Sequence, residues 1–252
     1  MAQAQARTAL VTGASRGIGA GIARALAAAG HRVAVGYRER ADEAAAVVEA
    51  CAAAGGRALA VGFDQADGDA VRAAVARVER ELGGVDLLVN NAAMADERPF
   101  LELTDADWER MLSVNLLGPV RCARAVLPGM LARGYGRIVN VSSVGGQRGG
   151  RNQVHYAASK AALINFTRSL SNLYCARGVT ANAIAPGLIA TEMSAPELAT
   201  AAGKEKVKHI PLGRLGTVEE VGATAAFLCS EEAAYISGET FNLNGGMYRE
   251  RS

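Results

Sequence analysis

Short apolar runs alternate with longer stretches of mixed character along nearly the whole chain. The runs are TALVTG (8–13), RVAVGY (32–37), RALAVGFD (57–64), DLLVNNA (86–92), RIVNVSS (137–143), VTANAIAP (179–186) and TFNLNGG (240–246). Several have uninterrupted apolar centres, the pattern of strands covered on both faces. Between them the spacing predicts helices over 17–29, 42–54, 67–82, 104–132, 154–177 and 217–230. Alternation of this kind predicts an α/β fold: a doubly wound parallel sheet of about seven strands, with helices on both faces and right-handed crossovers.

No Pro- or Ser-rich tract divides the chain and no repeat appears, so one domain is expected over 1–252. Two segments are irregular. GGQRGGRN (145–152) follows the fifth run, and 188–216 follows the sixth and resembles an inserted lid. Ligands of open parallel sheets bind at the carboxyl ends of the strands. Both segments leave strands at that edge and are expected to be substrate loops.

Composition narrows the classes. The chain has 252 residues, 50% of them hydrophobic, enough for a substantial core. A net charge of +2 supplies no strong field to draw nucleic acid or an anionic membrane. Cys51, Cys122, Cys175 and Cys229 are far apart, with no CxxC pair and no histidine at ligand spacing, so free thiols are expected and no metal. The N-terminus lacks a charged start followed by an apolar run, and no stretch reaches ~18 uninterrupted apolar residues. These features predict a soluble cytoplasmic protein.

Candidate chemistry begins at TGASRGIG, Thr12 to Gly19. Gly13, Gly17 and Gly19, with Ser15, Arg16 and Ile18 between them, lie at the first strand–helix junction. A glycine-rich turn there lets backbone amides approach a phosphate, and the helix N-terminus favours negative charge. Glycines also make tight turns for purely structural reasons. The second strand ends GYRER. Tyr37 stands where an acid would bind the adenosine 2′-hydroxyl, and Arg38 follows. Arg38 and Arg16 suit a 2′-phosphate, which predicts NADPH over NADH, with Glu39 opposing. Asp64 and Gln65 close the third strand, where Asp64 can accept from the adenine amino group or serve as a helix cap. Asn90 to Ala93, NNAA, either give a cofactor ribose a smooth wall at Asn91 and Ala92 or stitch loops together.

HYAASK, His155 to Lys160, places Tyr156 and Lys160 one helical turn apart on one face. An ammonium there favours phenolate in a residue whose ordinary pKa is about 10. Ser143 ends the fifth strand thirteen residues earlier, so it can converge on Tyr156 at the sheet edge; Ser142 is its rival on the opposite face. Asn115, within LSVNLLGPV, is either a satisfied structural amide or the anchor of a bound water. His155 either lines a pocket or packs, and Trp108 reads as core or interface.

TGASRGIG, NNAA, Asn115, Ser143, YAASK and the PG of IAPGLIAT, in this order, resemble the short-chain dehydrogenase/reductase family over essentially the whole chain. YAASKAALINFTRSL, ARGVTANAIAPGLIATEM, IPLGRLGTVEEV and NGGMY are similar to bacterial 3-oxoacyl-[acyl-carrier-protein] reductases. The resemblance implies a Rossmann fold and an NADP-dependent oxidoreductase. It implies that Tyr156 is the catalytic acid/base and that Lys160 holds the nicotinamide ribose and lowers the tyrosine pKa. Ser143 orients the substrate carbonyl, and Asn115 anchors a relay water. Asn91, Ile189 and Thr191, with Pro186 and Gly187 of the PG motif, are placed at the cofactor. The family usually has NNAG, and Ala93 departs from it.

The same resemblance implies a 3-oxoacyl thioester substrate, linked to CoA or to an acidic acyl carrier protein, and a homotetramer joined through 104–132 and 154–177. Arg177 matches a basic position of carrier-dependent relatives; Arg133 lies beside another, where the aligned residue is Gly134. A dehydrogenase of another ketone, alcohol or sugar is the competing enzyme, decided by 145–152 and 188–216. A non-catalytic dinucleotide sensor is disfavoured by the presence of Asn115, Ser143, Tyr156 and Lys160 together.

Overall fold

The computed structural model describes residues 6–192 and 194–248. Met193, inside the expected lid, and the first five residues lie outside the described residues. Seven strands form one sheet: β1 (Thr8–Val11), β2 (Arg32–Tyr37), β3 (Ala58–Gly62), β4 (Val85–Asn90), β5 (Gly136–Val141), β6 (Val179–Pro186) and β7 (Thr240–Leu243). Their order is β3-β2-β1-β4-β5-β6-β7, every pair parallel. This is the doubly wound Rossmann arrangement, and the order reverses between β1 and β4.

Side-chain alternation divides the strands between two cores. Val11, Val33, Val35, Val89, Val139 and Ile184 face one side, covered by α1 (Gly17–Ala28), α2 (Ala41–Ala53) and α10 (Val218–Cys229). Leu10, Ala34, Leu88, Ile138 and Ala181 face the other, covered by α3 (Gly68–Leu82), α5 (Gly118–Arg133) and α7 (Val154–Tyr174). A leucine fully buried in such a layer contributes roughly 1.5–3 kcal/mol. Helices α1 and α10 meet at Gly21 and Gly222. A Cβ on either would lie 2.7 Å from the partner helix's backbone oxygen.

Local signals start several helices. Asp67 caps α3 by accepting from Asp69 N and Ala70 N. Thr217 and Glu220 form a reciprocal capping box at α10. Thr104 and Asp107 do the same at α4 (Asp105–Leu112).

Three expectations change. The stretch 104–132 is not one α-helix: α4 passes through a π-helical segment, Ser113–Leu117, before α5. Residues 145–152 are partly helical, because Ser143 caps a short α6 (Val144–Arg148). The 188–216 segment carries two short helices, α8 (Ala195–Ala199) and α9 (Ala201–Lys208). No helix among the described residues is long and apolar enough to cross a membrane.

Candidate active site

The carboxyl ends of the strands around the β1–β4 reversal open into a cleft of about 400 Å³. The turn after β1 forms its floor. Gly13 and Gly19 are required by packing: a Cβ on Gly13 would lie 2.7 Å from Ala92 Cα, and one on Gly19 would lie 2.3 Å from the Gly13 carbonyl oxygen. Gly17 differs. It has φ +54°, and its missing side chain faces only Thr191, at 3.8 Å. This gap between turn and lid is a cradle that a methyl group would fill. Helix α1 has no side-chain cap and no acidic residue in its first turn, so its leading N–H groups suit an anion. Gly13, Ser15, Arg16, Gly17, Ile18, Gly19 and Thr191 all line the cleft, as the sequence leads one to expect.

Tyr37, Arg38, Asp64 and Gln65 line its far end. Arg38 is paired with Glu39 at 2.5 Å, and Arg16 with Glu192 at 3.8 Å. Arg40, which the sequence reading passed over, also reaches the cleft while paired with Glu43 at 2.5 Å. Asp67 serves as the helix cap, and Asp64 accepts from Ala66 N at 2.8 Å. The Gln65 side chain is structural: its Nε2 donates to the carbonyls of Ala92 and Val114, both at 2.9 Å.

The asparagines of NNAA stitch loops. Asn90 donates to Asn140 at 2.8 Å, and Asn91 Nδ2 donates to the carbonyls of Thr12 and Gly13 at 3.0 Å. Asn91, Ala92 and Ala93 also line the cleft, so the two readings of this motif are compatible. Pro186 and Gly187 form part of the opposite wall. Ile189 does not. Its side chain is buried in the core and packs on Gly216, with which it forms a β-bridge.

Ser143, Tyr156 and Lys160 converge at the end of β5. Ser142 is committed elsewhere: its hydroxyl donates to the Lys160 carbonyl at 2.8 Å. Ser143 accepts from Gly145 N at 3.0 Å and hydrogen-bonds the Tyr156 phenol. Lys160 is 2% exposed, its Nζ donates to the Val141 carbonyl at 2.8 Å, and it lies 5.7 Å from the Tyr156 ring centroid. Burial pushes the Lys160 ammonium down to about 8. Burial also raises the Tyr156 phenol above its ordinary value, against a lowering hydrogen bond from Ser143. With the chain's own groups alone, desolvation outweighs the Ser143 hydrogen bond.

Asn115 lies behind the cleft, fully buried on the π segment. Its side chain accepts from Met94 N and donates to Met94 O, both at 2.9 Å, and approaches Ser159 Oγ at 3.2 Å. The structural reading of this amide is therefore present in full. It grips the helix that carries Tyr156, since Ser159 Oγ donates to the Tyr156 carbonyl at 2.6 Å. His155 packs edge-on against Trp108, ring centroids 6.0 Å apart, rather than lining the cleft.

Arg133 and Arg177 are not at the mouth. Arg133 ends α5 and Arg177 follows α7, and both helices return the chain to the opposite edge of the sheet. Arg133 is held there by Asp86 at 2.9 Å and by the Val85 carbonyl at 2.6 Å. Arg177 is exposed.

A glycine turn at one part of a cleft, with a buried lysine and a hydroxyl-bonded phenol at another, is the equipment of an oxidoreductase that moves a hydride and a proton together. The chain belongs to the short-chain dehydrogenase/reductase family: a family model described as enoyl-(acyl carrier protein) reductase matches residues 13–248. The 3-oxoacyl-[acyl-carrier-protein] reductase of Staphylococcus aureus is 40% identical over 242 residues, covering 96% of this chain and 98% of that protein. Among solved structures, a gluconate 5-dehydrogenase from Burkholderia cenocepacia in complex with NADP and tartrate matches with a TM-score of 0.90 and 35% identity, over 96% of this chain and 94% of that one. A 3-oxoacyl (acyl-carrier-protein) reductase from Agrobacterium tumefaciens with NADP bound matches with a TM-score of 0.89 and 37% identity, over 95% and 93%.

Proposed function

We propose that the chain reduces the ketone of a 3-oxoacyl thioester, linked to an acyl carrier protein or to CoA, with NADPH as reductant. The observation that carries this is the meeting of Ser143, Tyr156 and Lys160 in a cleft that the glycine turn also lines. The two relatives named as 3-oxoacyl reductases support the substrate class, and the NADP in both solved relatives supports the cofactor.

Gly17, Ser15 and Thr191 would hold the cofactor's diphosphate, Asp64 the adenine, and Arg16 and Arg38 the 2′-phosphate, with Arg40 beside them. Asn91, Ala92, Pro186 and Gly187 would form the walls. When bound, NADPH supplies the hydride for the carbonyl carbon. Tyr156 gives its proton to the carbonyl oxygen as negative charge develops there. Its raised pKa keeps the phenol protonated for that donation. Ser143 donates a second hydrogen bond to the same oxygen, a contribution of roughly 3–4 kcal/mol to the barrier. Lys160 would hold the cofactor's ribose and pass a replacement proton to Tyr156, with Asn115 positioning the relay behind it.

We read 1–252 as one dinucleotide-binding domain with substrate loops 145–152 and 188–216, working in the cytoplasm, where its free thiols would persist. A homotetramer through α4–α5 and α7 is supported by the exposed Leu117 and Leu173 on that side. Arg177 stands at the sheet edge away from the cleft, so carrier-linked turnover that survives a charge reversal there is the expected result. The gluconate dehydrogenase likeness favours a second reading, oxidation or reduction of a sugar acid.

NADPH consumption with acetoacetyl-CoA tests the proposal, with NADH and Tyr156→Phe as controls. Turnover with NADPH that is lost in the variant is expected. Intact NADPH binding without turnover would overturn the thioester assignment.

A further inference from the structure

Gly145 stands two residues after Ser143, in the first turn of α6. Its backbone is not in the left-handed region, so its conformation does not demand glycine. Packing does not demand it either. An ideal Cβ there meets only Ser143 Oγ at 3.4 Å and Tyr156 Cε1 at 4.0 Å, both ordinary contacts. Its neighbour Gly146 is the opposite case. A Cβ there would lie 2.7 Å from the Lys160 carbonyl carbon and 2.9 Å from Ala161 N, so α6 can sit against α7 only with glycine.

Gly146 thus has a structural reason and Gly145 has none. What the bare Gly145 does is leave space beside the two hydroxyls that would hold the substrate's oxygen. Gly145 is partly exposed, so that space opens to solvent. The neighbouring wall has little freedom to close it. The loop carrying Met94 and Ala95 is tied to the loop before α7: Arg98 N donates to the Asn152 carbonyl at 2.8 Å, and Gln153 donates to Glu97 at 2.9 Å.

We propose that Gly145 sets the width of the substrate side of the site, and that the chain accordingly accepts ketones carrying a branched substituent on the carbonyl carbon. This rests on the reading of the cleft as a carbonyl-reducing site. A side chain at 145 would stand between the catalytic hydroxyls and solvent, and would exclude such a branch before it excluded a methyl ketone.

The test compares kcat/KM for two matched pairs, ethyl acetoacetate with ethyl pivaloylacetate and butanone with pinacolone, all with NADPH. Wild type, Gly145→Ala and Gly145→Val are measured, and NADPH fluorescence titration reports whether each variant is folded. The bulky-to-small ratio should fall about 10- to 100-fold in Gly145→Val and by a smaller factor in Gly145→Ala. An unmoved ratio in a variant that binds NADPH overturns the proposal. So does an equal loss on both members of a pair, or a wild type that rejects the bulky member of a pair whose small member it reduces. If Gly145→Val does not fold, Gly145→Ala decides. If only the plain ketones are reduced, their ratio alone judges Gly145. A wild type inert toward all four overturns the proposal, and acetoacetyl-CoA turnover judges the thioester reading separately.

Discussion

Lys160 Nζ donates to the carbonyl of Val141 at 2.8 Å, which fixes the ammonium beneath the cleft at 2% exposure. Folding thus places a charge where water does not reach it. Its pKa is down to about 8, against the ordinary lysine value of 10.5. Between these pH values the unfolded chain holds a proton that the folded chain has released. The cost of burying the charge is complete below about pH 8, and stability is regained as pH rises toward 10.5. Relative to Lys160→Met, the cofactor-free wild type should gain on the order of 3 kcal/mol across this window. Thermal denaturation of both proteins as a function of pH checks this, and parallel profiles would contradict it.

Tyr156→Phe removes the transferable proton and keeps the ring. Turnover should fall by about 10²- to 10⁴-fold while NADPH affinity changes little. Ser143→Ala leaves the proton donor in place and removes one hydrogen bond to the developing charge, so a loss of about 10²-fold is expected. Steady-state kinetics beside fluorescence titration separates the two effects. Activity near wild type in Tyr156→Phe would sink the mechanism.

Arg38 and Arg16 already carry glutamate partners, Glu39 and Glu192, but these pairs are largely exposed and contribute little to stability. A phosphate can therefore take over the guanidinium groups. Arg38→Asp should lower the NADPH/NADH ratio of kcat/KM at least about 10-fold, with melting unchanged. An unchanged ratio would remove Arg38 from the cofactor site.

Gly17 and Gly19 should fail in different ways. Gly19→Ala drives a methyl into the Gly13 carbonyl oxygen and the Asn91 amide, so the protein should be poorly folded. Gly17→Ala meets only Thr191 and adds backbone strain of roughly 1 kcal/mol. It should fold and yet lose NADPH affinity by at least about tenfold, because the methyl fills the cradle. Circular dichroism and cofactor titration together distinguish the outcomes, and normal affinity in Gly17→Ala would remove the phosphate from this turn.

The sheet was legible because strands covered on both faces leave uninterrupted apolar runs, as at Val33–Val35 and Leu87–Val89. The Ser143–Tyr156–Lys160 group was legible because strand end and helical spacing bring it together whatever the loops do. Contacts that depend on chain geometry were not. Arg133 reads as a surface charge until its helix is seen to end against Asp86. Ile189 reads as cofactor-adjacent until Gly216 is seen to receive its side chain. Arg40 and Glu192 reach the cleft only because two loops distant in sequence fold over the same edge. Spacing reports the charge near Tyr156 and says nothing of the desolvation that raises its pKa.

The π segment at Ser113–Leu117 has one further consequence. A wider turn holds one residue more than an α-turn, so everything after it is out of phase with everything before it by about 100°. Helix α4 and helix α5 share an axis but not a face, and Cys122, Val126 and Met130 point at the sheet only because of that offset. Deleting a single residue from the segment would restore regular winding and swing this apolar stripe away from the core. The column that grips the Tyr156 helix through Asn115 is thus set by angle as much as by contact.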